Sequence, residues 1–217
     1  MHWVFRGENP HGNVVINFRG NPVDELAPFA HGYRDAGKKL ARELPLSGYR
    51  DLDGYPILFL FRHALELYMK AVVYRGAQLA RVLDSRTIDT AKLFKTHNLS
   101  RLLPGLAAVL ETMGWQDDFQ TPHIHDFAEF SDLVRGIDEI DSDSSSFRYP
   151  VTSKGRPAVS HHSVVNALAF AEHVDSILGL LDGAVTGLQE EFDVAAEAKW
   201  ILQEMAKEIS EQDDPGD

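Results

Sequence analysis

The stretch Gly54–Gly76, GYPILFLFRHALELYMKAVVYRG, decides how this chain is read. It is apolar on nearly every side, which is the pattern of a helix enclosed at the centre of a bundle. Yet Arg62, Glu66 and Lys70 interrupt it one helical turn apart, so a helix gathers them on a single stripe with His63 beside it. Glu66 precedes Lys70 by four residues, the favourable order for an ion pair, worth about 0.2–0.5 kcal/mol on an open helix surface. Two readings share this spacing. Either the stripe is where a central helix reaches solvent, or it faces a polar cleft between helices that holds an anion or organises a loop.

Working outward, the chain alternates helical patterns with turn signals. Val23–Leu44 is the first helix, with Pro28 early in it and Pro45 and Gly48 closing it. Tyr55–Leu83 is the second. The segment DSRTIDTAKLFKTHN, 84–98, reads as a connection. Asn98–Met113 is a third helix, with Asn98 as its cap, Pro104 in its first turns and Gly114 as its stop. In His125–Ile140 the residues Phe127, Phe130, Leu133, Val134 and Ile137 recur at spacings of three and four. After a long polar connection, a fifth helix is expected from near His161 to Phe192, and a further one over Ala195–Ile209. The expected architecture is therefore an all-α bundle of five or six helices over residues 23–210. An extended arm (1–22, with the strand-like NVVINF) precedes it, and an acidic tail (211–217) of disordered composition follows.

A length of 217 residues allows one sizeable hydrophobic core. The chain is 44% hydrophobic and 25% charged, values of a soluble globular protein. With no Cys, disulfides, thiolate metal sites and Cys nucleophiles are excluded, and a reducing compartment fits. The opening MHWVFRGENPHGN lacks a secretory signal pattern, and apolar runs such as Ile57–Phe61 fall far short of the roughly 20 residues that span a bilayer. The chain reads as cytoplasmic, with no membrane partner. A net charge of −12 works against loose binding to nucleic acid. Arg34, Lys38 and Arg42 form one basic stripe on the first helix, expected to pair with Asp35 and Glu43.

No motif calls for a cofactor or a metal. His123, His125 and Asp126 in HIHD, and the pair His161–His162, match no ligand spacing with a mechanism behind it. DSDSS, 141–145, opens like a calcium loop but has Ser146 and Thr152 where that loop needs Gly and Glu. Gly179, Gly183 and Gly187 line one side of the last long helix. They offer either a smooth groove for a partner helix or a point of weakness.

The segments RHALELYMKAVV, THNLSRLL and FRYP, spread over Tyr55–Leu188, resemble the HEPN superfamily of prokaryotic helical bundles found in toxin–antitoxin, prophage-defence and nucleotidyltransferase-partner systems. The resemblance implies a bundle that dimerises about its long helices and works beside a partner encoded nearby, with RNA or a nucleotide as ligand. In active members an Arg and a His separated by four to six intervening residues form a metal-independent ribonuclease. The Arg would steady phosphate charge and the His would move protons for 2′-hydroxyl attack. Arg148 in FRYP stands where that Arg is expected, but Ser153, Lys154 and Gly155 occupy the positions of the His. Arg156 has His161 at the family spacing, with His162 next to it, which makes these three the candidate catalytic set of an active endoribonuclease. With 13 Arg and 10 His in the chain, such spacings also arise by chance. The reading carried forward is a HEPN-like protein without the standard nuclease motif, whose polar site is built from Arg62, His63, Glu66, Lys70, His97, Arg148 and Tyr149. A non-catalytic dimeric interaction module is the third possibility.

Overall fold

A computed structural model describes residues 14, 23–159 and 164–212. Five helices follow one another: α1 (Leu26–Glu43), α2 (Arg50–Val82), α3 (Leu103–Met113), α4 (Phe127–Ile140) and α5 (Ala167–Gln212). Short 3-10 turns at Leu44–Leu46 and Leu99–Arg101 lead into α2 and α3. The protein is an all-α bundle, and the described residues form only two isolated β-bridges. None of the described helices is long and apolar enough to cross a membrane. The extended arm expected over residues 1–22 lies almost entirely outside the described residues, as does the tail from residue 213 on.

The central helix is α2, at 33 residues about 50 Å long. It starts at Arg50, five residues before the sequence pattern placed it, with Asp51 and Asp53 in the first turn, where the helix dipole favours acids. α1 and α5 flank it along most of its length, while α3 crosses its C-terminal half. Ile57, Phe61, Leu65, Tyr68, Met69 and Val72 carry the core towards Leu106 and Val109 of α3, Phe130 and Val134 of α4, and Val174, Ile177 and Leu178 of α5.

Two ends are set by side-chain caps. Asp126 accepts from Glu129 N at 2.8 Å and opens α4, while Asn98 accepts from Arg101 N at 3.1 Å, as the sequence suggested. The expected third helix is divided, however. A 3-10 turn follows Asn98, and α3 proper begins at Leu103 with Pro104 in its first turn, where a missing N–H leaves no bond unmade.

The clearest departure from the sequence reading is α5. The two helices expected over His161–Phe192 and Ala195–Ile209 are one helix of 46 residues, starting at Ala167 and running two residues into the segment assigned to the tail. No Gly or Pro interrupts 188–212, and Val194, Ala195 and Ala196 carry the helix through the expected break.

α2 and α3 approach closely through reciprocal small-for-large contacts. Gly76 of α2 receives Val109 of α3, and Gly105 of α3 receives Val73 of α2. A Cβ on Gly76 would overlap both γ-methyls of Val109. Alanine normally stabilises a helix interior by about 1 kcal/mol over glycine, but overpacking reverses the sign here. Gly76→Ala is expected to lower stability by about 1–3 kcal/mol in urea titration, and adding Val109→Ala should recover part of the lost stability of the packing.

Candidate functional site

The Arg62–Glu66–Lys70 stripe points inward. All three residues are buried, with Arg62 at 0% exposure. The Arg62 guanidinium donates to Glu66 Oε2 at 3.0 Å, to the His97 carbonyl at 2.5 Å and to the Asp141 carbonyl at 3.2 Å. Its Nε also lies 3.1 Å from Asp141 Oδ2, and Nη2 lies 3.9 Å from Asp138. Asp141 Oδ2 has this cation as its neighbour yet no hydrogen bond, because the N–H direction is taken by the carbonyl. Glu66 Oε1 accepts from Lys70 Nζ at 2.7 Å and faces His97 Nδ1 at 2.9 Å.

Around this buried node the backbone is tied down as well. Asp138 accepts from Leu99 N and Ser100 N at 3.1 and 2.7 Å, capping the 3-10 turn before α3. Asp141 Oδ1 accepts from Ser146 N at 2.8 Å and shapes the turn that leaves α4. The node therefore joins α2, the 97–101 turn and the end of α4. None of the cavities described below is lined by Arg62, Glu66 or Lys70.

The remaining members of the expected site form an exposed rim on this node. The His97 side chain is 58% exposed, although its Nδ1 is held by Glu66. One turn before Arg62, Phe59 carries the Arg148 guanidinium 5.5 Å from its ring centroid and stacks on His63 at 5.5 Å with an interplanar angle of 10°. Tyr33 of α1 closes on His63 edge-on at 4.5 Å. Arg148 donates through Nε to the Ser144 carbonyl and lies 5.5 Å from the Tyr149 ring centroid. Among the described residues no carboxylate pairs with it. The ion pair that could have fixed this connection onto the bundle is thus replaced by a carbonyl bond and two aromatic faces. Arg148, Tyr149 and Phe147 also line a cleft of about 440 Å³ beside Leu52 and Tyr55 of α2. A neighbouring cleft of about 520 Å³ runs from Phe147 to the N-terminus of α5.

Asp138 and Asp141 are members that sequence reasoning missed. They had left a signal: two aspartates in the last turn of a helix oppose its dipole unless a cation meets them. Arg62 is that cation.

Other candidates do not join the node. Arg156 is exposed in a turn closed by Thr152 N on its own carbonyl at 2.8 Å, and His161 and His162 lie outside the described residues. The basic stripe of α1 does not pair along its own helix with Asp35 and Glu43. Arg34 and Lys38 reach instead to Asp175 of α5 at 2.6 and 3.0 Å. The glycine stripe of α5 is already partly covered: Arg34 lies over Gly179 and the Trp115 indole over Gly187, leaving Gly183 open in an apolar groove of about 370 Å³. His125 belongs to the α4 cap through Glu129 and His123 stacks on His173, and the described residues hold no cluster able to bind a metal.

Electrostatics separates node from rim. Burial alone would raise the Glu66 carboxyl, but Lys70, His97 and Arg62 outweigh it and hold it below its ordinary value. Burial above all, aided by Arg62, Arg148 and Lys70 and opposed by Glu66, holds His63 below its ordinary value and so uncharged at neutral pH. Comparisons with family models, curated proteins and solved structures found no match for this chain.

Two stability measurements follow from these signs. The contribution of Glu66 is complete above its ordinary value of 4.5 and is lost as pH falls below it. Glu66→Gln should therefore lose about 3–5 kcal/mol at neutral pH and show a flatter acid limb in denaturant titrations. For His63 the unfolded imidazole takes up its proton first, so wild-type stability falls as pH drops below 6.5. His63→Phe, which keeps the aromatic contacts, should flatten the profile between about pH 7 and 5.

Proposed function

We propose that this chain is a HEPN-like bundle of an RNA-directed or defence system that binds a phosphate-bearing ligand, with single-stranded RNA foremost, on the rim of His63, His97, Arg148 and Tyr149. On this reading it does not use the standard nuclease motif. The observation that carries the reading is Arg148. In a chain of net charge −12, an exposed guanidinium braced on two aromatic rings and left without a carboxylate among the described residues is available to an anion.

The chemistry of the rim suits such a ligand. A planar fork meets two phosphate oxygens, and the Tyr149 ring, 56% exposed, gives a base a face to stack on. His63 stays neutral at the working pH and serves as a hydrogen-bonding group. Arg62, Glu66 and Lys70 are positioning residues here, since all three are buried and bonded within the node.

Fluorescence anisotropy with a labelled single-stranded RNA at low salt tests the assignment. Arg148→Ala should weaken binding about tenfold or more while lowering the melting temperature only slightly, and Tyr149→Ala should weaken binding less. Wild type and the Arg156→Ala, His161→Ala, His162→Ala triple variant should bind alike and leave total RNA equally intact. Cleavage by the wild type that the triple variant lacks would replace this reading with an active endoribonuclease.

A further inference from the structure

The last third of α5 outruns the bundle. Lys199 makes its final tie to α2, bonding the Val82 carbonyl at 3.1 Å and Asp84 at 2.8 Å. Around and beyond that tie, Val194, Ile201, Leu202, Met205 and Ile209 are between 44 and 67% exposed. With Ala198 they recur at spacings of three and four, so they form one apolar stripe about 22 Å long. Phe192 and Ala195 still pack on the core, whereas the side chains of the stripe stay exposed, so the bundle does not cover it.

One edge of the stripe is acidic. Glu190, Asp193, Glu197, Glu204 and Glu208 follow one another at helical spacing, with Trp200, 62% exposed, between them. This edge selects the occupant. A second copy of the chain, paired antiparallel about a two-fold axis, would set each flank against its own equivalent and bring Glu197, Glu204 and Glu208 against the same carboxylates. A helix with an apolar face and a lysine- or arginine-rich flank meets both features with the right sign.

The geometry points to the Val194–Ile209 stripe as a docking face for a cationic amphipathic helix of another protein, about four turns long. The stripe is separate from the His63–Arg148 rim and stands or falls independently of it.

The test uses the full chain and two synthetic peptides of about 16 residues, one patterned from leucine and lysine, the other with glutamate in place of lysine. Trp200 fluorescence and calorimetry report binding. The Leu/Lys peptide should bind and the Leu/Glu peptide should not. Ile201→Lys with Met205→Lys should weaken binding about tenfold or more without changing the melting temperature, since both sites are exposed. Glu197→Lys, Glu204→Lys, Glu208→Lys should reverse the preference between peptides. The proposal is overturned if the Leu/Lys peptide fails to bind, or if it binds the Ile201→Lys, Met205→Lys variant as well as the wild type. It is equally overturned if sedimentation shows a wild-type dimer that this variant dissociates, because the stripe would then belong to a second copy.

Discussion

A fully buried guanidinium is the constraint around which this bundle is arranged. Taking an arginine out of water carries a penalty of several kcal/mol unless its charge is met and its N–H groups are bonded. Arg62 finds its partners in three places far apart in the chain: Glu66 on its own helix, the carbonyl of His97, and Asp141 at the end of α4. None can be misplaced without leaving a charge stranded in the core. The connection before α3 and the turn after α4 are therefore fixed to the same point of α2, although neither is regular secondary structure. Because the FRYP segment follows Asp141 by a few residues, the node also decides where Arg148 and Tyr149 emerge.

A second polar group ties the other side of α2. Tyr68 donates to Asp182 of α5 at 3.0 Å, close to the Arg34–Asp175–Lys38 cluster that joins α1 and α5. Burial and the Asp182 carboxylate hold the phenol well above its ordinary pKa, so it keeps its proton and donates it to Asp182. By helical spacing Tyr68 stands nearly opposite Glu66. The buried middle of α2 thus carries polar groups on two opposite sides, each with partners on particular neighbours. Apolar surfaces alone tolerate sliding by a turn, and these paired charges remove that freedom, a role attested for buried polar groups in helical assemblies.

Most of the fold was legible because it rests on periodicity. The helices over Val23–Leu44, Tyr55–Leu83 and His125–Ile140 emerge within a few residues of their expected ends, since apolar spacing and breakers act locally. The direction of the Arg62–Glu66–Lys70 stripe was not legible, because an i,i+4 ion pair reads the same facing water or facing the core. What settles it lies 31 to 79 residues away, at His97 and Asp141. Arg34 shows the same limit: nearby Asp35 was the expected partner, while distant Asp175 takes the charge. Of the seven residues assigned to the polar site, Arg62, Glu66, Lys70 and His97 make direct contact. His63 and Arg148 both meet the ring of Phe59, which is itself invisible as a site residue because phenylalanine there reads as core.

The overhang of α5 poses the converse question, since nothing within the bundle requires it. Beyond Lys199 the helix loses the tertiary packing that supplies most helical stability in proteins, and an isolated segment of a dozen residues is marginal in water. Three features offset this. The segment continues an already nucleated helix, it holds an unbroken run of strong helix formers from Leu202 to Glu208, and it carries the Glu204–Lys207 pair at 2.6 Å. Those features keep it helical without explaining its composition, because a solvated extension would do as well with polar residues at 194, 201, 205 and 209. An apolar stripe held out on a rigid rod gains nothing until another surface covers it. The same chain seals Arg62 at 0% exposure and leaves Val194 at 66%, so the apolar residues of α5 are divided between those its own core covers and those it leaves open to a second surface.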